Sequence, residues 1–139
     1  MIDALADAMV TALNDNEFSF GFQATKNLLP SFDREVMGTN LIVTVVPALL
    51  ATAGRLNKKR SRKEVGVDIG FAKYLDAAAT EAAQLIQFVE SVQTFIDENL
   101  MELDGFQYLR SEFDPLYDAR MLRDNSLFMS VLAVVYQKN

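Results

Sequence analysis

Leu41-Ile42-Val43-Thr44-Val45-Val46-Pro47 and Glu64-Val65-Gly66-Val67-Asp68-Ile69-Gly70-Phe71 are the two runs that decide the fold. The first is dense in β-branched residues, and the second alternates apolar with small or charged residues, the period of a half-buried strand. Together they predict a long hairpin. Its connection is strongly basic: Arg55, Lys58, Lys59, Arg60, Arg62 and Lys63 crowd into Gly54 to Lys63, with no anion among them. Outside that segment seven cations face nineteen anions, so a body of net charge −12 carries a loop of +6.

Composition bounds the rest. A chain of 139 residues suits a single domain, 1–139, built on one core. Apolar residues make up 50% and charged residues 23%, near the averages of globular proteins, so neither disorder nor a fibrous class is indicated. No apolar run approaches the roughly 18 residues of a membrane span, and Asp3 and Asp7 stand where a signal peptide carries cations. The chain therefore reads as a soluble protein with no membrane partner. The absence of cysteine excludes disulfides and thiolate chemistry, and stability must come from packing.

Taken in order, Ile2, Leu5, Ala6, Met9, Val10 and Leu13 form a helical stripe that ends near Asn14, with Asp3 and Asp7 near the positive end of the helix dipole. Phe18, Phe20, Phe22 and Ala24 alternate with polar or small residues, which predicts strand one. A loop around Pro30, with an exposed Phe32, leads to the hairpin. Beyond it, Asp76 is the expected N-cap of a second helix, whose apolar stripe runs Leu85, Ile86, Phe88, Val89, Val92, Phe95, Ile96 and Leu100. Asp104-Gly105 marks a turn into a strand at Phe106 to Arg110. Glu112 to Asn125 reads as a long loop around Pro115, and its Phe113, Leu116, Tyr117 and Met121 are expected to pack on the sheet or on a neighbouring molecule. Ser126 to Tyr136 is apolar on both faces and reads as a central strand.

These elements predict an α+β fold of order α-β-β-β-α-β-β: a mainly antiparallel sheet of about five strands, two helices packed on one face, and the basic hairpin between strands two and three. Strands two and five are apolar on both sides, so the second sheet face is expected to meet another subunit or an extended loop.

Little in the chain points to catalysis. Without histidine there is no Ser-His or Cys-His triad and no histidine metal ligand. Glu112, Asp114 and Asp118 are the best carboxylate cluster for a hard cation, but they lack the alternating ligands of an EF-hand, and a solvated acidic loop accounts for them better. Gly66 and Gly70 lie within a strand, where close backbone approach explains them better than a phosphate cradle. No metal, cofactor or catalytic residue is assigned. The basic loop asks for a partner, either a nucleic-acid backbone or an acidic protein surface, against the plainer reading of a solvated hairpin tip. The acidic body repels phosphate everywhere else, and no aromatic residue interleaves the cations for base stacking. A neighbouring copy's acidic body is the simpler partner, with non-specific contact to passing DNA second.

The pattern Leu29-Pro30-Ser31-Phe32-Asp33, the Leu41 to Pro47 run, the basic loop and Val65-Gly66-Val67-Asp68-Ile69-Gly70 together resemble small neck proteins of tailed bacteriophages. The second helix, Pro115-Leu116-Tyr117-Asp118 and Phe128 to Tyr136 continue the likeness over nearly the whole chain. The resemblance is to the tail-terminator or tail-completion proteins. It implies a non-enzymatic α/β subunit of a homo-oligomeric ring, commonly a hexamer, that caps the tail tube and joins it to the head. The implied partners are the tail tube protein and a head-completion or connector protein. The implied location is the virion neck, with the host cytoplasm during assembly. A head-completion or other connector protein of the neck, and a small nucleic-acid-binding protein using the hairpin, are the alternative readings.

Overall fold

A computed structural model of the chain describes residues 2–26, 40–55, 61–75 and 78–138. The expectations for Pro30, Phe32, Asp76 and the loop tip at Lys58, Lys59 and Arg60 fall outside these residues. The elements run α1 (Ile2–Asn14), β1 (Ala24–Lys26), β2 (Ile42–Arg55), β3 (Ser61–Tyr74), α2 (Ala78–Asn99), β4 (Glu102–Leu103), β5 (Phe106–Phe113), α3 (Ala119–Asn125) and β6 (Leu127–Lys138). The fold is α+β. Its single sheet has six strands in the order β1-β2-β3-β6-β5-β4. All pairs are antiparallel except β1 with β2, which is parallel. The sheet is therefore mixed, and the described residues hold one strand and one helix more than the sequence pattern predicts.

The hairpin forms as expected and is longer than the two apolar runs. β2 and β3 stay paired from Ile42↔Ala72 to Arg55↔Ser61, with register shifts between Pro47 and Leu49 and between Thr52 and Gly54. β6 lies on the other side of β3, from Tyr74↔Leu127 to Lys63↔Lys138, and so takes the central place predicted for it.

Alternation along the strands makes one face of the sheet the core. Val43 and Val45 of β2, Val65, Val67, Ile69 and Phe71 of β3, and Phe128, Leu132, Val134 and Tyr136 of β6 are all buried in one cluster. Leu5, Met9 and Leu13 of α1 and Leu85, Phe88, Val89, Val92 and Ile96 of α2 close over it. Each helix contributes residues three or four apart, the stripe that 3.6 residues per turn brings to one side. The Tyr136 hydroxyl stays satisfied in this core by donating to the Leu100 carbonyl at 2.8 Å, and burial raises its pKa well above the usual tyrosine range.

Strand one differs from its expectation. Only Ala24–Lys26 pairs with β2, and Phe18, Phe20 and Phe22 lie outside any ladder. Their rings surround Phe88 with centroid distances of 6.0, 5.5 and 5.7 Å, and Phe71 approaches from the sheet at 5.7 Å. Edge-to-face contacts of this kind stabilise beyond the area they bury, so ring packing overrides the strand period here. The side chain of Asn14 then starts β1. Its amide donates to the Ala24 carbonyl at 3.0 Å and its carbonyl accepts from the Ala24 amide at 2.7 Å, the exchange a neighbouring strand would otherwise make.

Nor is Glu112 to Asn125 an open loop. Glu112 and Phe113 end β5, and the backbone then bonds along β6 through Asp114 N–H to Val131 O (2.9 Å), Val131 N–H to Pro115 O (3.1 Å) and Asp118 N–H to Met129 O (3.0 Å). Asp118 caps α3 by accepting from the Met121 amide at 3.0 Å. α3 seals one end of the sheet. Met121 joins Ile42, Ala72, Tyr74, Leu127 and Met129 in a small cluster on the second face, while Leu122 packs on the main core.

Candidate interaction site

α3 is only seven residues long, and it covers only that end of the second face. Register places the remaining side chains in rows across β2, β3, β6 and the β5 side. One row runs Thr44, Gly70, Val131 and then Asp114, which bonds to Val131. The next runs Val46, Asp68, Ala133 and Glu112, and a third holds Gly66, Val135 and Arg110. Val46, Val131, Ala133 and Val135 are half-buried, unlike their fully buried neighbours on the core face.

Between the first two rows lies a small apolar hollow of about 250 Å³, lined by Thr44, Val46, Asp68, Gly70, Met129 and Val131, among others. Gly70 makes room for it. A β-carbon there would stand 2.9 Å from Thr44 Oγ1, so the threonine hydroxyl reaches over Gly70 on this face. Thr44 is only 4% exposed, and its hydroxyl has no hydrogen-bond partner among the described residues. Asp68 is half-buried beside it with no ion pair among the described residues. Burial, reinforced by the Asp114 carboxylate, raises the Asp68 carboxyl above its usual pKa.

The electrostatics of this face are one-sided. Among the described side chains Glu64, Asp68, Glu112 and Asp114 share it with Arg110, whose guanidinium is held by Glu64 at 2.7 Å. The other described cations of the body are also engaged within the chain. Lys26 pairs with Asp7 at 2.9 Å, Lys73 with Glu81, and Arg120 and Arg123 with Asp124 at 3.8 and 3.2 Å. Lys138 lies over the Phe106 ring, 4.7 Å from its centroid. Lys63 of the hairpin is exposed and makes no ion pair among the described residues.

Of the cations singled out in the sequence, Arg55 closes β2, and Arg62 and Lys63 lie in the first turns of the β3 ladder, at the sheet end far from α3. Lys58, Lys59 and Arg60 lie outside the described residues. Phe113 and Leu116 pack on the main core, Met121 joins the second-face cluster, and Tyr117 stays 40% exposed beside the groove between α2 and α3. Arg55, Arg62 and Lys63 thus stand at the sheet end far from Tyr117 and Met121. Among the described residues no group of three or more carboxylates is placed to hold a metal ion, which applies to Glu112, Asp114 and Asp118.

Asp68 and Thr44 were not singled out as interaction residues. The one signal for them is a charged residue among glycines on the outward positions of a strand, Gly66-Val67-Asp68-Ile69-Gly70, which shows a face but not what lies across it. No helix is long and apolar enough to cross a membrane among the described residues. No protein-family model matches this chain, and no curated protein matches it.

Proposed function

We propose that this chain is a structural subunit of a tailed-bacteriophage neck, one copy in a homo-oligomeric ring that terminates the tail tube and joins tail to head. The observation that carries this reading is the half-open second face. Both long helices lie on the other side of the sheet, and a band of Val46, Val131, Ala133 and Val135 is left partly in water where α3 does not reach. An apolar band left partly in water is a surface on which a further subunit can complete the burial.

Charge supports the same reading. A +6 hairpin and a −12 body on one molecule attract head to tail, and a head-to-tail contact generates a closed ring when its rotation closes. The partners are the copies on either side, the tail tube below and a head-completion or connector ring above. The role requires no cofactor and no catalytic residue. It places the protein in the virion neck.

Negative-stain imaging and light scattering of the protein, alone and with purified tail tubes, test the proposal. Rings of uniform diameter, free or seated on tube ends, are the expected result. A protein that remains monomeric at every concentration and leaves tube ends bare overturns it. Tight retention of duplex DNA at 150 mM salt by such a monomer would favour the nucleic-acid reading instead.

A further inference from the structure

We propose that the hollow between β2, β3 and β6, with Asp68 at its rim and Thr44 in its wall, is the receptor for a lysine or arginine side chain from the β2–β3 hairpin of an adjacent copy. This assignment rests on the ring reading above and names the contact that reading leaves open.

Three observations converge on it. The Thr44 hydroxyl is a buried polar group with no partner among the described residues, and leaving such a group unpaired is costly. It faces a hollow whose floor is apolar and whose rim is acidic, with Asp68 and, one row on, Asp114. A long cationic side chain matches both parts, since its methylene stem covers apolar surface while its head stays at the carboxylates. An amine or guanidinium at the rim would neutralise Asp68, and its N–H groups would give the Thr44 oxygen a donor.

Among the described residues no cation of the chain's own body is left to fill the hollow. Arg110 shares this face and is held by Glu64, and the other described body cations are engaged elsewhere. The described strands of the molecule's own hairpin lead away from the hollow. Arg62 lies six residues from Asp68 along one continuous strand, about 20 Å at the rise of a β-strand, and the strand carries it away from the hollow. A second copy has no such constraint, and it carries six cations within ten residues and no anion among them.

The chain's lack of cysteine allows a direct test. Ala133→Cys, beside Asp68, is mixed with Lys59→Cys, Arg62→Cys or Lys63→Cys in the otherwise unchanged full chain, with tail tubes present, and oxidised. The expected product is a disulfide joining the two different variants in at least one mixture. It should be lost when Asp68→Lys is added to the Ala133→Cys partner. As a second readout, Asp68→Asn, which preserves size, should weaken association about tenfold while its circular dichroism matches the parent. Rings without any mixed disulfide, or disulfides only between two Ala133→Cys chains, overturn this assignment and leave the ring reading standing. Mixed disulfides in open chains that never close uphold the contact and overturn the ring. Monomers with neither product overturn both.

Discussion

Thr44 Oγ1 sits 2.9 Å from the point where a β-carbon on Gly70 would stand, so the hydroxyl of one strand occupies the space left by the missing side chain of the next. Alanine in a strand is ordinarily favoured over glycine by roughly 0.5 to 1 kcal/mol, whereas crowding a packed site costs about 1 to 3 kcal/mol. Gly70→Ala is therefore expected to lower stability by about 1 kcal/mol in the native chain and to raise it in a Thr44→Ala background. Urea unfolding of the four proteins of this cycle decides it. Equal effects in both backgrounds would mean that the two residues are not coupled.

Asn14→Ala removes both hydrogen bonds that hold Ala24 at the start of β1. A loss of about 1 to 3 kcal/mol is expected, together with faster amide exchange at Ala24 to Lys26 than elsewhere in the sheet. Unchanged protection there would show that pairing with Val43 to Val45 holds β1 without the clamp.

Phe88→Ala should cost about 3 to 5 kcal/mol, because it empties the centre around which Phe18, Phe20, Phe22 and Phe71 are arranged. Denaturant midpoints with near-ultraviolet circular dichroism measure both the loss and the loosening of the rings. A cost below 1 kcal/mol would deny the cluster its role in placing residues 18–22.

The same cluster shows where sequence reading stops. The β2–β3 hairpin, α1, α2 and central β6 were legible because each carries a sustained period of burial, 2 along Val65 to Phe71 and 3.6 along Leu85 to Ile96. Phe18, Phe20 and Phe22 also alternate, but the pattern does not tell a strand from an extended segment whose rings gather on a helix. α3 was missed because Ala119-Arg120-Met121-Leu122-Arg123-Asp124-Asn125 is short and mostly polar, and its cap at Asp118 lies within a cluster that reads as an acidic loop. The receptor hollow was illegible for a different reason. Thr44, Asp68 and Val131 come together only through strand register, which no local pattern contains.

Asp68 gives a pH-dependent prediction. Its carboxyl binds a proton more readily in the folded chain than in the unfolded one, where the ordinary value is 3.8. Its charge therefore weakens the isolated subunit above the raised folded pKa, and this penalty disappears as pH falls below 3.8. Asp114, Glu112 and the Glu64–Arg110 pair are the charged groups sharing its face. Asp68→Asn should raise the urea midpoint at pH 7, with the gain shrinking toward acid. A lower midpoint at pH 7 would mean that Asp68 already has a cationic partner in its own chain.

Reversing Lys58, Lys59, Arg60 and Arg62 to glutamate should leave the subunit folded, with the circular dichroism of the parent. The same protein should fail to join tails to heads, and milder charge changes should give a defect that deepens with salt. Normal yields of joined, infectious particles from the reversed protein would reduce the hairpin to a solvated tip.

β1 pairs with Val43 to Val45 alone, so the outer edge of β2 from Val46 to Arg55 has no strand partner among the described residues. Ten residues of free main chain would ordinarily invite indiscriminate strand addition and fibre growth. This edge is broken up instead. Pro47 contributes no N–H, and the shifts at Pro47/Leu49 and Thr52/Gly54 kink the strand twice, so no long flat row of donors and acceptors is presented. The chain is thereby guarded against polymerising through the wrong border of its sheet. Only a surface shaped to the same irregularities can settle along it.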